Sequence, residues 1–196
     1  MSATGQICQQ KVQTVYLLRH GVAAHNLPDA ITGIYPDPRD PAYVDPPLVP
    51  GYGTSMAEEA GRRLKKDVLL RRRERSDLVE DLGDRAKDDG KSYPPSGEGG
   101  ADIVFCSPLR RCLQTASLAF PSATRAPKLP RIVCDELVRE AHGMHHPDRR
   151  GRLSDARHEF PWVNFSPNMT EVDTVWRPDR RESTSDVVRR LVLFIE

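Results

Sequence analysis

The sequence lacks a long apolar run, an apolar leader and an excess of either charge. No stretch of its 196 residues is long and apolar enough to cross a bilayer, so we expect no membrane span. The first fifteen residues contain no apolar core of a secretory signal. Basic residues number 29 and acidic residues 28, for a net charge of +1. This balance gives no reason to expect nucleic acid or an anionic membrane as a partner.

Cysteine is scarce and unpatterned. The chain has four cysteines, at Cys8, Cys106, Cys112 and Cys134, and none belongs to a C-x-x-C pair. We interpret Cys106 and Cys112 as small core residues rather than metal ligands. Unpaired cysteines are typical of a reducing compartment, which predicts a cytoplasmic protein. The length suits one domain with a sizeable core.

An apolar run that ends abruptly in Arg19-His20-Gly21 is the most informative feature present. Residues 12–18 are rich in β-branched and aromatic side chains and predict a buried strand. Ligands of open α/β folds bind at the carboxyl ends of strands, where this tripeptide would lie. Neutral imidazole is a usable nucleophile near neutral pH, and a neighbouring guanidinium would neutralise phosphate oxygens. By itself the tripeptide is a weak signal, because such a histidine is usually structural or solvated.

A second segment strengthens the interpretation. Asn26 follows the tripeptide closely enough to return its amide to the same turn, and residues 105–116 read FCSPLRRCLQTA. The patterns R-H-G-x-x-x-x-N and S-P-L-x-R-x-x-Q-T-A together resemble those of the histidine phosphatase superfamily, the phosphoglycerate mutase-like proteins. The resemblance implies an α/β fold, a three-layer α/β/α sandwich, and transfer of a phosphoryl group to His20.

The same resemblance implies roles for the arginines and the asparagine. Arg19 and Arg111 would bind phosphoryl oxygens, and Asn26 would assist them. Arg110 is the neighbour of Arg111, but one helical residue rotates the side chain by about 100°, so we expect it on the surface. Ser107 and Pro108 are expected to open the helix, with Gln114 and Thr115 fixing it against its neighbours.

Three segments lie between these motifs: a proline-rich loop, a helix and a charged insertion. Seven prolines in residues 27–50 predict an ordered loop over the active face. Apolar spacing predicts a helix over about 55–75, whose basic end at 71–75 is a solvated face or, alternatively, an anion patch. Residues 76–100 predict a flexible insertion, because they combine many charges with glycine and proline.

A third segment, at residues 135–150, supplies acidic and histidine side chains. Its L-x-x-E-x-x-G-x-x-x-x-D-x-R pattern is similar to the acid segment of the fungal and plant branch of the superfamily. By position the proton donor is Glu140, with Glu136 as its rival. His142, His145 and His146 are loop histidines or, alternatively, metal ligands. The chemistry of the family needs no metal and no other cofactor, so we expect neither.

The resemblance continues loosely through Phe160, Trp176 and Arg181 to an apolar helix over 185–195. In the family this helix leads to a further strand and a second His-Gly, so the chain is expected to be a single domain over 1–196, incomplete at its C-terminus. A pocket lacking that donor would react about 10²–10³-fold more slowly.

The expected function is a phosphomonoester phosphatase acting on a small phosphorylated metabolite. The alternatives are a phosphoglycerate-type mutase, a non-catalytic protein that binds phosphorylated ligands, and an incomplete gene product.

Overall fold

A computed structural model describes residues 14–81, 103–125 and 130–196 of the chain. Most of the predicted insertion, at 82–100, and the thiol of Cys8 lie outside these ranges. These ranges contain five α-helices: α1 (Tyr52–Asp81), α2 (Arg110–Ala119), α3 (Pro121–Arg125), α4 (Leu153–Glu159) and α5 (Thr184–Ile195). Three strands accompany them: β1 (Ile103–Cys106), β2 (Arg131–Cys134) and β3 (Asn164–Phe165).

The strands form one parallel sheet in the order β1-β2-β3. Ile103 pairs with Arg131 and Cys106 with Cys134, while Cys134 also pairs with Phe165 on β3. Helices α2 and α3 connect β1 to β2, and α4 lies between β2 and β3. Parallel strands require such crossovers, which are usually helical. The predicted α/β class is therefore confirmed.

One face of the sheet carries the core. Cys106, Ile132 and Cys134 point to this face and pack with Leu113 and Phe120, each at most 6% exposed. Helix α1 crosses α2 very closely, because a Cβ added to Gly61 would collide with the backbone of Ala119. Helix α2 buries the apolar side chains of Leu113, Ala116 and Ala119 together with the polar side chains of Arg111 and Thr115.

The opposite face of the sheet is more open. Ile103 and Phe105 on β1 are 42% and 52% exposed. Phe194 of α5 packs edge-on against Phe105, with ring centroids 4.8 Å apart. The apolar side chains on α5 that the sequence aligns on one face are nonetheless exposed: Val188, Leu191, Val192 and Ile195.

The predicted strand over residues 12–18 is wrong for the part that is described. From Thr14 to Gly21 the backbone belongs to no strand, and Val15 and Leu17 are 78% and 96% exposed. A strand is stabilised by hydrogen bonds to a neighbour, and no described strand lies alongside this segment. Its side chains are typical of strands, but β propensity produces a strand only when a neighbouring strand packs alongside.

Helix α1 is longer than its apolar spacing predicts. It begins three residues earlier than expected and continues to Asp81, so residues 76–81 of the predicted insertion are helical. The charged residues from 71 onward are good helix formers, and this propensity extends the helix past the last apolar position. No helix in the described ranges has the length and hydropathy needed to cross a membrane.

Candidate active site

The turn that carries His20 is fixed by close backbone packing. Gly21 is buried, and its N–H donates to Thr115 Oγ1 at 3.1 Å. A Cβ at Gly21 would collide with the carbonyl of Gly53 at the start of α1, and a Cβ at Gly53 would collide with the carbonyl of Val22. Only glycine permits this approach, so the two glycines hold the turn against α1.

The imidazole of His20 has both nitrogens in hydrogen bonds. Its Nδ1–H donates to the carbonyl of Gly21 at 2.7 Å, and Nε2 accepts from Arg111 Nε at 3.1 Å. This pattern assigns the lone pair to Nε2. Burial lowers the pKa of His20 below its ordinary value, and the charges of Arg111 and Arg19 lower it further, against the opposing effects of the hydrogen bond to Gly21 and the charge of Glu140. The ring is therefore neutral near pH 7.

Helix α2 directs Arg111 inward and Arg110 outward, as its spacing predicts. The side chain of Arg111 is fully buried, whereas Arg110 is exposed and pairs with Glu159 at 2.8 Å. The helix begins at Arg110 rather than at Ser107. Its first amide is capped by Asp45, whose Oδ1 accepts from Arg110 N at 2.7 Å, so the cap comes from the proline-rich loop.

Every nitrogen of the Arg111 guanidinium has a partner. Besides His20, Nη1 donates to the carbonyl of Pro147 at 2.6 Å, and Nη2 donates to Glu140 Oε2 at 3.2 Å and Asp148 Oδ1 at 3.0 Å. The carboxylate of Asp148 is almost fully buried, while the side chain of Glu140 is 56% exposed. The imidazole of His20 and the accessible carboxyl group of Glu140 thus both contact the guanidinium of Arg111.

The acid segment contains two short 3₁₀ helices, Glu136–Val138 and His146–Asp148, and buried arginines pair with the carboxylates around them. Arg139 donates to Asp173 at 2.7 Å and to Glu136 at 2.8 Å. Arg150 also donates to Glu136, at 2.6 Å. The carboxylate of Glu136 is therefore occupied by two guanidinium groups, whereas that of Glu140 reaches Arg111 beside the imidazole.

Two predicted site residues, Arg19 and Asn26, make no hydrogen bond or ion pair with the side chains of His20, Arg111 or Glu140. Arg19 is exposed and has no hydrogen bond or ion pair within the described ranges, although its charge reaches His20. Asn26 lies in a 3₁₀ turn, Ala24–Asn26, and its Oδ1 accepts from Ala23 N at 3.1 Å. The amide does return to the turn, as expected, and its observed contact is with backbone. The structure thus brings together His20, Arg111 and Glu140.

The three histidines of the acid segment have separate neighbours. His142 lies 3.5 Å from Glu182, and His145 lies 3.9 Å from Asp148. The ring of His146 tilts against Trp176 with centroids 5.0 Å apart. Across the part of the chain that the structure describes, no three metal-ligating side chains converge.

Sequence reasoning missed three residues near the site. Asp148 is part of the D-x-R pattern, yet its link to Arg111 was not predicted. Arg181 donates to Asp148 Oδ2 at 2.9 Å from 33 residues away. His25 precedes Asn26 in the first motif, and its buried Nδ1 has no partner in the described ranges. Burial, followed by the charge of Arg111, lowers the pKa of His25 to about 4.

Known proteins resemble about half of the chain. No protein-family model matches it. "Probable phosphoglycerate mutase" of Arthroderma benhamiae is 35% identical over 96 residues, which cover 48% of this chain and 29% of that protein. "Phosphoglycerate mutase-like protein" of Arabidopsis thaliana is 31% identical over 118 residues, covering 48% of this chain and 44% of the relative. "Phosphoglycerate mutase-like protein 1" of the same plant is 31% identical over 99 residues, with 50% and 34% covered. The chain thus spans less than half the length of these curated relatives.

Proposed function

Because this chain belongs to the histidine phosphatase superfamily, we propose that it is a phosphomonoester phosphatase with a phosphohistidine intermediate on His20. The observation that carries the proposal is the neutral imidazole whose Nε2 lone pair faces Arg111 Nε at 3.1 Å. Gly21 fixes the other ring nitrogen as a donor. A nucleophile therefore stands beside the charge that its phosphoryl target requires.

The first step forms a P–N bond and breaks a P–O bond. As the substrate arrives, Arg111 Nε–H transfers its hydrogen bond from His20 to a phosphoryl oxygen, which frees the Nε2 lone pair for in-line attack. Glu140 in its acid form gives its proton to the leaving alkoxide. A positioned acid of this kind accelerates such a step about 10²–10⁴-fold.

The second step reverses the roles of the same groups. Glu140, now a carboxylate, takes a proton from water, and the oxygen attacks the phosphorus of phosphohistidine. The P–N bond breaks, inorganic phosphate leaves, and the imidazole is neutral again. The 56% exposure of Glu140 supports this step, since water reaches the carboxylate directly.

Arg19 and Asn26 complete the proposed site. Arg19 has no partner within the described ranges and can turn towards a phosphate that arrives at His20. Asn26 supports the turn through Ala23, and its amide nitrogen, which has no partner among the described residues, can donate to the substrate. The substrate is a small phosphorylated metabolite, and the site needs no metal or other cofactor.

The wider expectations belong to the same proposal. The chain would form a single three-layer α/β/α domain, which is supported by helices that contact both faces of the sheet. A cytoplasmic location is supported by three free thiols in the described ranges, at Cys106, Cys112 and Cys134. Microscopy of a fluorescent fusion tests the location.

A mutase is the second candidate, because the matched relatives are named for phosphoglycerate mutase. In a mutase the phosphoryl group on His20 passes to another hydroxyl of the product and not to water. Turnover in water enriched in ¹⁸O distinguishes a phosphatase from a mutase. A phosphatase places ¹⁸O in inorganic phosphate, whereas a mutase returns unlabelled phosphoryl groups to an organic product.

The direct test is turnover of an aryl phosphate by the wild-type chain and by His20→Ala. An aryl leaving group needs little proton assistance, so this substrate examines the nucleophile. We expect turnover and an acid-labile phosphoprotein, both lost in His20→Ala. Absence of both from a protein with a cooperative unfolding transition would contradict the phosphatase and favour a protein that only binds phosphorylated ligands.

A further inference from the structure

A cavity of about 370 Å³ lies outside the proposed active site. It is bordered by the start of α2, by α4, by β3 and the residues after it, and by the proline-rich loop, whereas His20, Arg111 and Glu140 do not line it. Cavities that bind small molecules measure about 300–1,000 Å³. This cavity is therefore large enough for a small ligand and is separate from the groups that would carry out phosphoryl transfer.

Most of the buried residues that line the cavity are apolar. Leu113 comes from α2, Leu153 and Phe160 from the two ends of α4, and Met169 from the chain after β3, and each is at most 8% exposed. All four belong to the hydrophobic core, and Phe165 packs against it. A ligand in the cavity would therefore bury an apolar body against core side chains, which favours its transfer from water.

The charged residues of the cavity have an excess of carboxylates. Each of the three arginines that line it has a carboxylate partner within 3.0 Å: Arg110 with Glu159, Arg152 with Glu171, and Arg150 with Glu136. Asp45 and Asp155 also line the cavity, and neither forms an ion pair with any residue that the structure describes. The guanidinium groups are thus already matched, while two carboxylates remain for a cation.

The carboxylate of Asp45 is held in one orientation by backbone amides. Its Oδ1 accepts from Arg110 N at 2.7 Å and its Oδ2 accepts from Gly151 N at 2.8 Å, and each oxygen retains a further lone pair. Burial raises the pKa of Asp45 above its ordinary value, against the opposing effects of these two hydrogen bonds and of the charges of Arg111 and Arg139. A cation beside the carboxylate would offset the cost of burying its charge.

We propose that this cavity binds a small organic cation, whose ammonium or guanidinium head contacts Asp45 and whose apolar body packs against Leu153 and Phe160. The exposed carboxylate of Asp155 attracts the same head group. The pocket around His20 is proposed to take a phosphate, so the two neighbouring sites prefer ligands of opposite charge. The inference does not depend on phosphatase activity, because no residue of that chemistry lines the cavity.

The test compares a cation with a neutral and an anionic analogue. Phenethylamine, 2-phenylethanol and 3-phenylpropanoate share an apolar body, and each is titrated calorimetrically against the full chain in an amine-free buffer. The variants are Asp45→Asn, Asp155→Asn and the control Asp179→Asn, which changes an exposed carboxyl group outside the cavity. Asparagine suits position 45, because Asp45 has a φ of 45° and asparagine tolerates this left-handed region.

We expect the amine to bind roughly ten- to a hundredfold more tightly than the alcohol, the range for a hydrogen bond to a charged group, and the acid to bind least tightly. Asp45→Asn should give the amine and the alcohol similar dissociation constants. Asp155→Asn should weaken the amine about two- to fivefold, as for an exposed pair, and Asp179→Asn should not. Equal binding of amine and alcohol by the wild type would overturn the proposal, and so would an amine preference that survives in a folded Asp45→Asn protein.

Two further variants locate the bound cation. Ala156→Leu adds volume to the wall of the cavity on α4, so it should abolish binding of both the amine and the alcohol. With Asp155→Asn, it decides the matter if Asp45→Asn does not fold, and unchanged binding in Ala156→Leu would contradict the cavity as the site. Glu140→Gln removes the exposed carboxyl group beside Arg111. Loss of the amine in this variant alone would place the cation at the proposed active site and overturn the inference.

Discussion

Gly21 and Thr115 join the two halves of the site across 94 residues. The N–H of Gly21 donates to Thr115 Oγ1 at 3.1 Å, and the hydroxyl of Thr115 donates to the carbonyl of Arg111 at 2.8 Å. One buried hydroxyl therefore links the turn that carries the imidazole to the helical turn that carries the guanidinium. The separation between His20 and Arg111 depends on this link.

Replacing Thr115 with valine keeps the shape and removes the link. The buried N–H of Gly21 would lose its acceptor, and we expect unfolding to cost about 1–3 kcal/mol less. The rate of aryl phosphate hydrolysis should fall as well, because Arg111 and His20 are no longer held together. Urea unfolding and initial rates measure the two effects. Thr115→Ser retains the hydroxyl and should recover most of both; if it behaves like valine, the hydroxyl is not the cause.

Removing the charge of Asp148 should be costly. Asp148→Asn leaves the fully buried guanidinium of Arg111 without a buried anionic partner. It also turns an amide N–H towards the guanidinium of Arg111 or of Arg181. Breaking a buried pair in this way costs about 3–5 kcal/mol. We expect a loss of this size in urea unfolding. Asp179→Asn, at an exposed position, is the control, and equal midpoints for the two variants would contradict the buried pairing.

The local sequence was sufficient to predict which side chains of α2 point inward. The motif spacing placed Arg111 inward and Arg110 outward, since a helix fixes relative side-chain direction over one turn. It also predicted that Gln114 and Thr115 fix the helix: Gln114 Oε1 accepts from Leu48 N at 2.8 Å, and Thr115 accepts from Gly21. Helical geometry predicts that these two side chains face neighbouring segments, whereas their partners, 66 and 94 residues away, are not named by any local pattern.

Long-range contacts were beyond the sequence. The cap of α2 comes from Asp45, which precedes Arg110 by 65 residues, and no local pattern names that partner. The acid segment has no regular period, because paired charges such as Arg139 and Asp173 determine its path. The strand expected before Arg19 failed for the same reason, since strand formation depends on a neighbour and not on β propensity alone.

If Glu140 is the proton donor, the loss of rate on its replacement should depend on the leaving group of the substrate. Glu140→Gln cannot give up a proton, so hydrolysis of an alkyl phosphate should fall about 10²–10⁴-fold. Hydrolysis of 4-nitrophenyl phosphate, whose leaving group is stable as an anion, should fall much less. The measured quantity is the ratio of kcat/KM for the two substrates.

Glu136→Gln is the matched variant for this assignment. Glu136 accepts from Arg139 and Arg150, so its replacement should lower the urea midpoint and leave the ratio between the two substrates close to that of the wild type. If Glu136→Gln shifts the ratio and Glu140→Gln does not, the roles of the two carboxyl groups are reversed.

His25 predicts how stability depends on pH. Burial and the nearby charge of Arg111 lower the pKa of its folded form from 6.5 to about 4, with Asp148 opposing and His20 adding a smaller effect. Below pH 6.5 the unfolded chain binds a proton that the folded chain refuses, so stability is lost as pH falls from 6.5 towards 4. The shift corresponds to at most about 3 kcal/mol, and solvent screening of this partly exposed ring reduces it to about 1–2 kcal/mol.

His25→Gln should therefore flatten the decline in stability on the acid side. The free energy of unfolding in urea is measured at pH 7.5, 6, 5 and 4.5 for the wild type and the variant. We expect the variant to lose about 1–2 kcal/mol less than the wild type across this range. His158→Gln, on the exposed face of α4, is the control and should follow the wild type. Parallel curves for the wild type and His25→Gln would mean that the imidazole takes up its proton in the folded state as readily as in the unfolded chain.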